Sequence, residues 1–128
     1  MNEHIKLYES VSARVFAINP NILYLVVPSG QSFTAAESHA ISNLAFAHFN
    51  GKYKVLTLPE EHAIIEADVR NYLVTPERKE RVIADAIVIT NLPHRLLADF
   101  YLKVQRPDIP TQFFKTFDEA LEWLRSVE

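Results

Sequence analysis

The sequence predicts one α/β domain over residues 1–128, in which an N-terminal β-hairpin is followed by alternating β-α units and a mostly parallel single sheet is covered by helices. Short apolar segments of strand length alternate along the chain with longer segments whose apolar residues recur at helical spacing. Seven prolines and two glycines lie between these segments. Hydrophobic residues make up 48% of the chain, which is enough to build one core.

The first two predicted strands, Ser12–Ile18 and Ile22–Val27, are joined by Asn19-Pro20-Asn21, which favours a tight turn and therefore an antiparallel hairpin. Ile22–Val27 is apolar without alternation, which predicts cover on both of its faces. The remaining predicted strands are Tyr53–Leu58, Ala84–Thr90 and Thr111–Phe114. We expect the three central apolar strands to lie side by side in one sheet.

Helix starts are predicted by capping residues. Thr34 and Glu37 have capping-box spacing, so we expect a helix from Thr34 to about His48, with Glu37 reaching back to the cap. Pro59-Glu60-Glu61 predicts a second helix that runs to Leu73; a strand at Ala63–Ala67 is the alternative. Further helices are predicted to start at Thr75-Pro76-Glu77, Asn91-Leu92-Pro93 and Thr116-Phe117-Asp118-Glu119.

Two of these later segments carry specific expectations. The helix after Asn91 should present one apolar stripe, and the charged run Glu77–Arg81 should form a solvated helix. The stripe consists of Leu96, Leu97, Phe100, Tyr101 and Val104. Aromatic residues are dense in the C-terminal third, which predicts core packing. The alternative is an apolar pocket or a self-association face, and the latter would allow a homodimer.

Composition excludes several function classes. The formal net charge of −3 argues against a dedicated nucleic-acid binder. The absence of cysteine rules out disulfides, a thiol nucleophile and cysteine-based metal sites. None of the five histidines has metal-ligand spacing, so we predict no metal and no cofactor. The apolar runs are too short to span a bilayer and the N-terminus has no apolar signal region, so we expect a cytoplasmic protein.

Several C-terminal segments resemble a known family. They are Asp68–Tyr72, Ala84–Val88, Arg95–Lys103, Pro107–Thr111, Phe114 and Glu119–Leu124. Together they resemble small stand-alone bacterial proteins of the STAS-like (SpoIIAA-like) group, whose fold is shared with the CRAL-TRIO lipid-binding domains. The resemblance covers roughly the C-terminal half, and before Lys54 only the order of elements matches.

The resemblance implies a non-enzymatic regulatory or binding module that recognises a protein partner or a small ligand. In the anti-sigma-factor antagonists of this group, a phosphorylated serine lies at the start of the helix after the third strand. The corresponding segment here is Thr57-Leu58-Pro59-Glu60-Glu61-His62, which has no serine. We therefore predict no phosphorylation site in this segment.

The candidate binding site lies where Asn91, His94 and Arg95 follow an apparent central strand, because ligands of open α/β sheets gather at that position. His94 and Arg95 lie at the N-terminal end of the helix, whose dipole disfavours positive charge. An anionic ligand or acidic partner would offset this unfavourable interaction. The alternative is that Arg95 pairs with a nearby acid. Since adjacent parallel strands end on the same side, Glu60 and His62 should face this helix start. We expect His94 and Arg95 to be partly exposed.

Three function classes follow. The first is the binding module described above. The second is a carrier of a lipophilic small molecule, which an apolar cavity would favour. The third is an acid–base enzyme that uses Glu60, Glu61 or His94, which convergence of Glu60, His62 and His94 in one cleft would favour. An exposed apolar patch over a solid core would instead favour a protein partner.

Overall fold

The computed structural model describes residues 4–127. Its strands are β1 (His4–Glu9), β2 (Arg14–Ile18), β3 (Ile22–Val27), β4 (Ser32–Phe33), β5 (Tyr53–Pro59), β6 (Ile64–Ile65), β7 (Val82–Val88) and β8 (Thr111–Phe114). Its helices are α1 (Ala35–Phe49), α2 (Ala67–Leu73), α3 (Pro76–Lys79), α4 (Leu92–Phe100) and α5 (Phe117–Ser126). A π-helical turn, Tyr101–Gln105, continues α4.

The predicted fold class is confirmed. Six strands form one sheet in the order β1-β2-β3-β5-β7-β8. β1, β2 and β3 are antiparallel neighbours, whereas β3, β5, β7 and β8 are parallel neighbours. The three central apolar strands lie side by side as expected. Between residues 4 and 127, no helix combines the length and the apolar character that crossing a membrane requires.

The sheet has a core on each face. Leu23, Leu25 and Val55 pack with α1 and α2 on one face, whereas Leu56 and Ala86 pack with α5 on the other. The side chains of successive residues alternate between the two faces, which is why unalternating apolar strands need cover on both.

A buried lysine ties α5 to the sheet. Lys54, on β5, donates from Nζ to the carbonyl oxygens of Leu124 and Val127, at 2.6 Å each. These carbonyls lie at the C-terminal end of α5, where the helix dipole favours a cation.

The predicted helix at Pro59-Glu60-Glu61 is wrong, and the alternative strand is partly right. The backbone there bonds to the loop after β3: Glu60 N–H donates to Val27 O at 2.9 Å, and Ile64 N–H donates to Gln31 O at 2.9 Å. The Ile64 bond uses a donor that a helix would bond internally, and it belongs to the small parallel pair β4-β6. The helix therefore begins at Ala67, with Glu66 as its N-cap residue.

The apolar stripe on α4 is also not one buried face. Tyr101 is buried, but the outer side of the helix exposes residues four apart. These outer residues are Leu92, Leu96, Phe100 and Val104, with exposed fractions of 68%, 60%, 48% and 59%. We call them the outer stripe. Because the buried residues of α4 are His94 and Ala98, the helix covers the sheet with a narrow face.

A half-buried carboxylate holds the N-terminal strands against α1. Glu37 does not reach back to its own cap, although Thr34 does accept from the Glu37 N–H. Its carboxylate accepts hydrogen bonds from the hydroxyls of Tyr8, Ser10 and Ser12. Burial by itself raises the pKa of Glu37, but the three hydroxyl donors outweigh it and lower the pKa below its ordinary 4.5.

The Glu37→Gln variant tests this clamp. A carboxylate whose pKa is lowered by folding stabilises the native state at pH values above 4.5, and this contribution is lost as the pH falls through the folded pKa. Urea unfolding should therefore show the variant less stable than wild type at neutral pH, with the gap narrowing in acid. Glu122→Gln, on an exposed position of α5, is the control. An equal gap at both pH values would contradict the clamp.

Candidate functional site: an apolar cavity beneath α4

A cavity of about 120 Å³ lies on the α1/α2 face of the sheet. Its floor comes from neighbouring parallel strands, with Leu25, Val55 and Ile87 among the lining residues. Its walls come from α1, α2 and α4, which contribute Ile41, Val69, Leu97 and Ala98. The lining is mostly aliphatic, so the cavity offers an apolar environment to whatever occupies it.

The start of α4 is tied to the loop after β5. Asn91 caps the helix, since its Oδ1 accepts from the His94 N–H at 2.9 Å. Its Nδ2 donates to Glu61 O at 2.9 Å, and His94 Nε2 lies 2.8 Å from Ala63 O. The expectation that this helix start faces the Thr57–His62 loop is confirmed.

His94 is buried, contrary to expectation, with 7% of its surface exposed. Nε2 must carry the hydrogen because its partner, Ala63 O, can only accept. Nδ1 lies 3.2 Å from Asn91 Nδ2 and accepts from that amide. Both ring nitrogens are therefore engaged, and His94 positions the loop after β5 over the cavity that it lines.

The other predicted site residues lie apart from this contact. Arg95 is exposed, and its Nε is 3.9 Å from Asp99 Oδ1 within the same helix. Arg95 therefore pairs with a nearby acid, which is the alternative to an anion-binding role. Glu60 pairs with Arg14 Nη2 at 3.2 Å and accepts from the Ser29 N–H at 2.9 Å. His62 is exposed.

No single cleft gathers the acids and histidines. In residues 4–127, no hydrogen bond or ion pair joins the side chains of Glu60, His62 and His94. Across the same residues, no group of three or more histidines and acids is arranged to hold a metal ion. The structure thus places His94 at the cavity and Asn91 beside it as the cap of α4, while Glu60, His62 and Arg95 face other partners or solvent.

A buried ion pair that the sequence reasoning missed lies at the cavity. Arg78 Nη1 and Nη2 donate to Asp85 Oδ2 and Oδ1, at 2.6 Å each, and both side chains are 6% exposed. Burial by itself lowers the pKa of Arg78, but the charge and hydrogen bonds of Asp85 outweigh it and raise the pKa. The expectation of a solvated helix at Glu77–Arg81 is therefore wrong for Arg78. Asp85 lies in an otherwise apolar strand, and a charged residue in a central strand needs a buried partner. This position was therefore the sequence signal for the ion pair.

Two tyrosines line the same cavity, and only one of their hydroxyls has a hydrogen-bond partner. The Tyr53 hydroxyl is 2.9 Å from Ser42 Oγ, so it is satisfied internally. The Tyr101 hydroxyl is buried and has no hydrogen-bond partner. Burial raises the pKa of Tyr101, the nearby Asp85 charge raises it further, and Arg78 lowers it. The hydroxyl thus stays protonated beside the ion pair.

Comparison with known proteins gives one match. A family model described as "Domain of unknown function (DUF7793)" matches residues 16–128. No curated protein and no solved structure matches the chain. The matched range takes in every element that lines the cavity.

The ion pair can be tested by breaking it in two ways. Asp85→Asn leaves the Arg78 charge buried without a counter-charge, which should lower the free energy of unfolding by about 3–5 kcal/mol. The double variant Arg78→Met/Asp85→Leu removes both charges and should cost less than the single one. Urea unfolding measures both. A single variant as stable as wild type would contradict a buried pair.

His94 and Arg95 should separate in the same measurement. His94→Ala leaves the buried Ala63 carbonyl without its donor and should cost about 1–3 kcal/mol. Arg95→Ala breaks only an exposed pair and should cost less than about 1 kcal/mol. Replacing both residues together should therefore cost more than a typical surface change, because His94 is buried. Equal costs would show that the His94 contacts do not stabilise the fold.

Proposed function

We propose that this chain, which belongs to the DUF7793 family, is a non-enzymatic binding module that holds a small, mostly apolar ligand in the cavity beneath α4. The cavity is the observation that carries the proposal. Protein interiors pack closely, with few voids larger than a water molecule. This cavity of about 120 Å³ is partly open to solvent, and the apolar side chains that line it lack packing partners on that side. A ligand that fills it would supply those contacts.

The size and lining of the cavity support a ligand of defined scale. An apolar cavity of roughly 150 Å³ accepts a benzene molecule. The cavity here, about 120 Å³, matches a single small ring or a short branched chain. Because aliphatic side chains form most of its lining, burial of apolar surface would supply most of the binding free energy.

The polar groups around the cavity support binding rather than a reaction. Both nitrogens of His94 already have partners, so neither is available to move a proton for a ligand. The Arg78 and Asp85 groups satisfy each other. These contacts fit the STAS-like resemblance, which implies a module without catalysis, and the apolar lining fits the lipophilic ligands of the CRAL-TRIO relatives.

A protein partner is the second candidate, and the outer stripe favours it. Its four side chains are exposed along one side of α4 and the π-helical turn. Contiguous apolar surface of this kind marks interaction sites. Leu97 and Ala98 line the cavity from the same helix, so substitutions can separate the two functions.

Ligand binding is tested with benzene as the probe, followed by the chemical shifts of backbone amides. Wild type should show saturable shifts at α1, α2 and α4. Ala98→Leu places extra methyl groups in the cavity and should abolish these shifts, because the space is already filled. Leu96→Ala, on the outer stripe, is the control and should bind benzene like wild type.

Leu97→Phe is a second filling variant, at the 37% exposed edge of the cavity, should Ala98→Leu not fold. Wild type that shows no saturable shifts would overturn the proposal. Binding that is unchanged in a folded filling variant would do the same.

A further inference from the structure

A cation from α2 lines the cavity without a counter-charge. Arg70 is half-buried and is one of the lining residues. Its Nη1 donates to the carbonyl oxygen of Ile65 at 3.4 Å, and Ile65 lines the same cavity. No ion pair joins Arg70 to an acid anywhere in residues 4–127. The guanidinium therefore brings to the cavity wall a positive charge that the described chain leaves uncompensated.

Two nitrogens of this guanidinium are accessible to a ligand. In the part of the chain that the structure describes, Nε and Nη2 of Arg70 have no hydrogen-bond partner, and neither is among the buried polar atoms that lack one. Both atoms are therefore reached by solvent. Together they form one edge of the planar guanidinium, whose N–H groups match the two oxygens of a carboxylate.

The other charges of the cavity lining cancel. Arg78 and Asp85 are joined by two hydrogen bonds of 2.6 Å each. The imidazole of His94 is neutral, because its Nδ1 accepts one hydrogen bond and its Nε2 donates the other. Arg70 therefore gives the lining a net positive charge, which favours an anionic ligand.

The acids closest to Arg70 in sequence leave its donors free. Asp68 Oδ1 accepts from the Ala35 N–H at the start of α1, at 3.2 Å. Glu66 is the N-cap residue of α2 and makes no capping hydrogen bond. Neither carboxylate forms an ion pair within residues 4–127, so neither occupies the edge that Nε and Nη2 present.

We infer that the ligand of this cavity is a small carboxylate with an apolar body, and that the Arg70 guanidinium binds its carboxylate group. The inference rests on the proposed function, since it adds a charged contact at the same cavity. The apolar body fills the cavity, and the carboxylate lies at the partly open side, where solvent still reaches Arg70. The carboxylate is thus paired and avoids the cost of full burial.

The test uses benzoate and benzamide, which have nearly the same shape and differ in charge. At neutral pH the carboxyl group of benzoate is ionised. Backbone amide chemical shifts give both dissociation constants for wild type and for Arg70→Met, which keeps an apolar stem and removes the charge. The loss of one half-exposed charged contact should weaken benzoate binding about tenfold and benzamide binding less than about twofold.

Arg95→Met is the matched control, because Arg95 is an exposed arginine on α4 that does not line the cavity. Removing its charge should leave the ratio of benzoate to benzamide affinity unchanged. Arg70→Lys keeps the charge without the planar fork and should bind benzoate with an affinity between those of wild type and Arg70→Met. Arg70→Lys also serves as the test variant should Arg70→Met not fold.

Ala98→Leu, or Leu97→Phe in its place, locates the bound benzoate. Filling the cavity should abolish benzoate binding, and benzoate that still binds the folded variant would lie elsewhere and overturn the inference.

The failure of this inference can be distinguished from failure of the proposed function. If neither benzene nor benzoate binds wild type, the proposed function fails. If benzene binds but benzoate binds no more tightly than benzamide, the cavity function stands and the carboxylate assignment is overturned. If Arg70→Met and Arg95→Met weaken benzoate binding equally, the effect is general attraction between charges and the role of Arg70 is overturned.

Discussion

The buried pair of Arg78 and Asp85 is the constraint on which the cavity-lining half of the molecule depends. Asp85 lies within β7, between two parallel neighbours, where a lone charge would be strongly destabilising. Its partner comes from α3, so this four-residue helix has to lie against β7 at one position. Thr75 fixes the helix start by accepting from the Arg78 N–H at 3.4 Å. The buried pair therefore holds α3 against β7, and the Tyr53 N–H, which donates to Arg81 O at 3.0 Å, holds the chain just after it.

The same pair places two charged residues in a mostly aliphatic lining. Buried charges are tolerated in a core where they are paired and hydrogen-bonded, as these are. α4 is held by its N-terminal ties through Asn91 and His94 rather than by a broad packed face. Space is left between its narrow inner face and the sheet, and the cavity occupies that space.

The sequence predicted what local chemistry decides. Capping residues such as Thr34 and Asn91, and the apolar run Ile22–Val27, act over a few residues, and each led to a correct element. The prediction is wrong where segments distant in sequence bond to the same backbone groups. Around Glu60 the backbone bonds to Val27 and Gln31, so the helix predicted from Pro59-Glu60-Glu61 does not start there.

The candidate site was predicted in the same uneven way. Its place at the ends of adjacent parallel strands follows from topology, and Asn91 and His94 lie there. Which side chains are free does not follow, because that depends on partners distant in sequence. His94 is engaged by Ala63, 31 residues away, and Glu60 by Arg14, 46 residues away. The charged neighbours of Arg78 predict a solvated side chain. Its burial depends on Asp85, seven residues later in β7, whose side chain faces α3.

Two deficits in stability coincide at one place in this fold, and their coincidence argues for a role in binding. The partly open cavity leaves apolar side chains without packing contacts, and the unpaired hydroxyl costs about 1–3 kcal/mol in a domain whose total stability is about 5–15 kcal/mol. The substitution Tyr101→Phe would remove the unpaired hydroxyl and keep the ring. A ligand that binds only the native state returns this free energy in proportion to its concentration. Under the proposed function, the unliganded protein is the less stable of the two states, and a bound ligand adds contacts between α4 and the sheet that the empty cavity lacks.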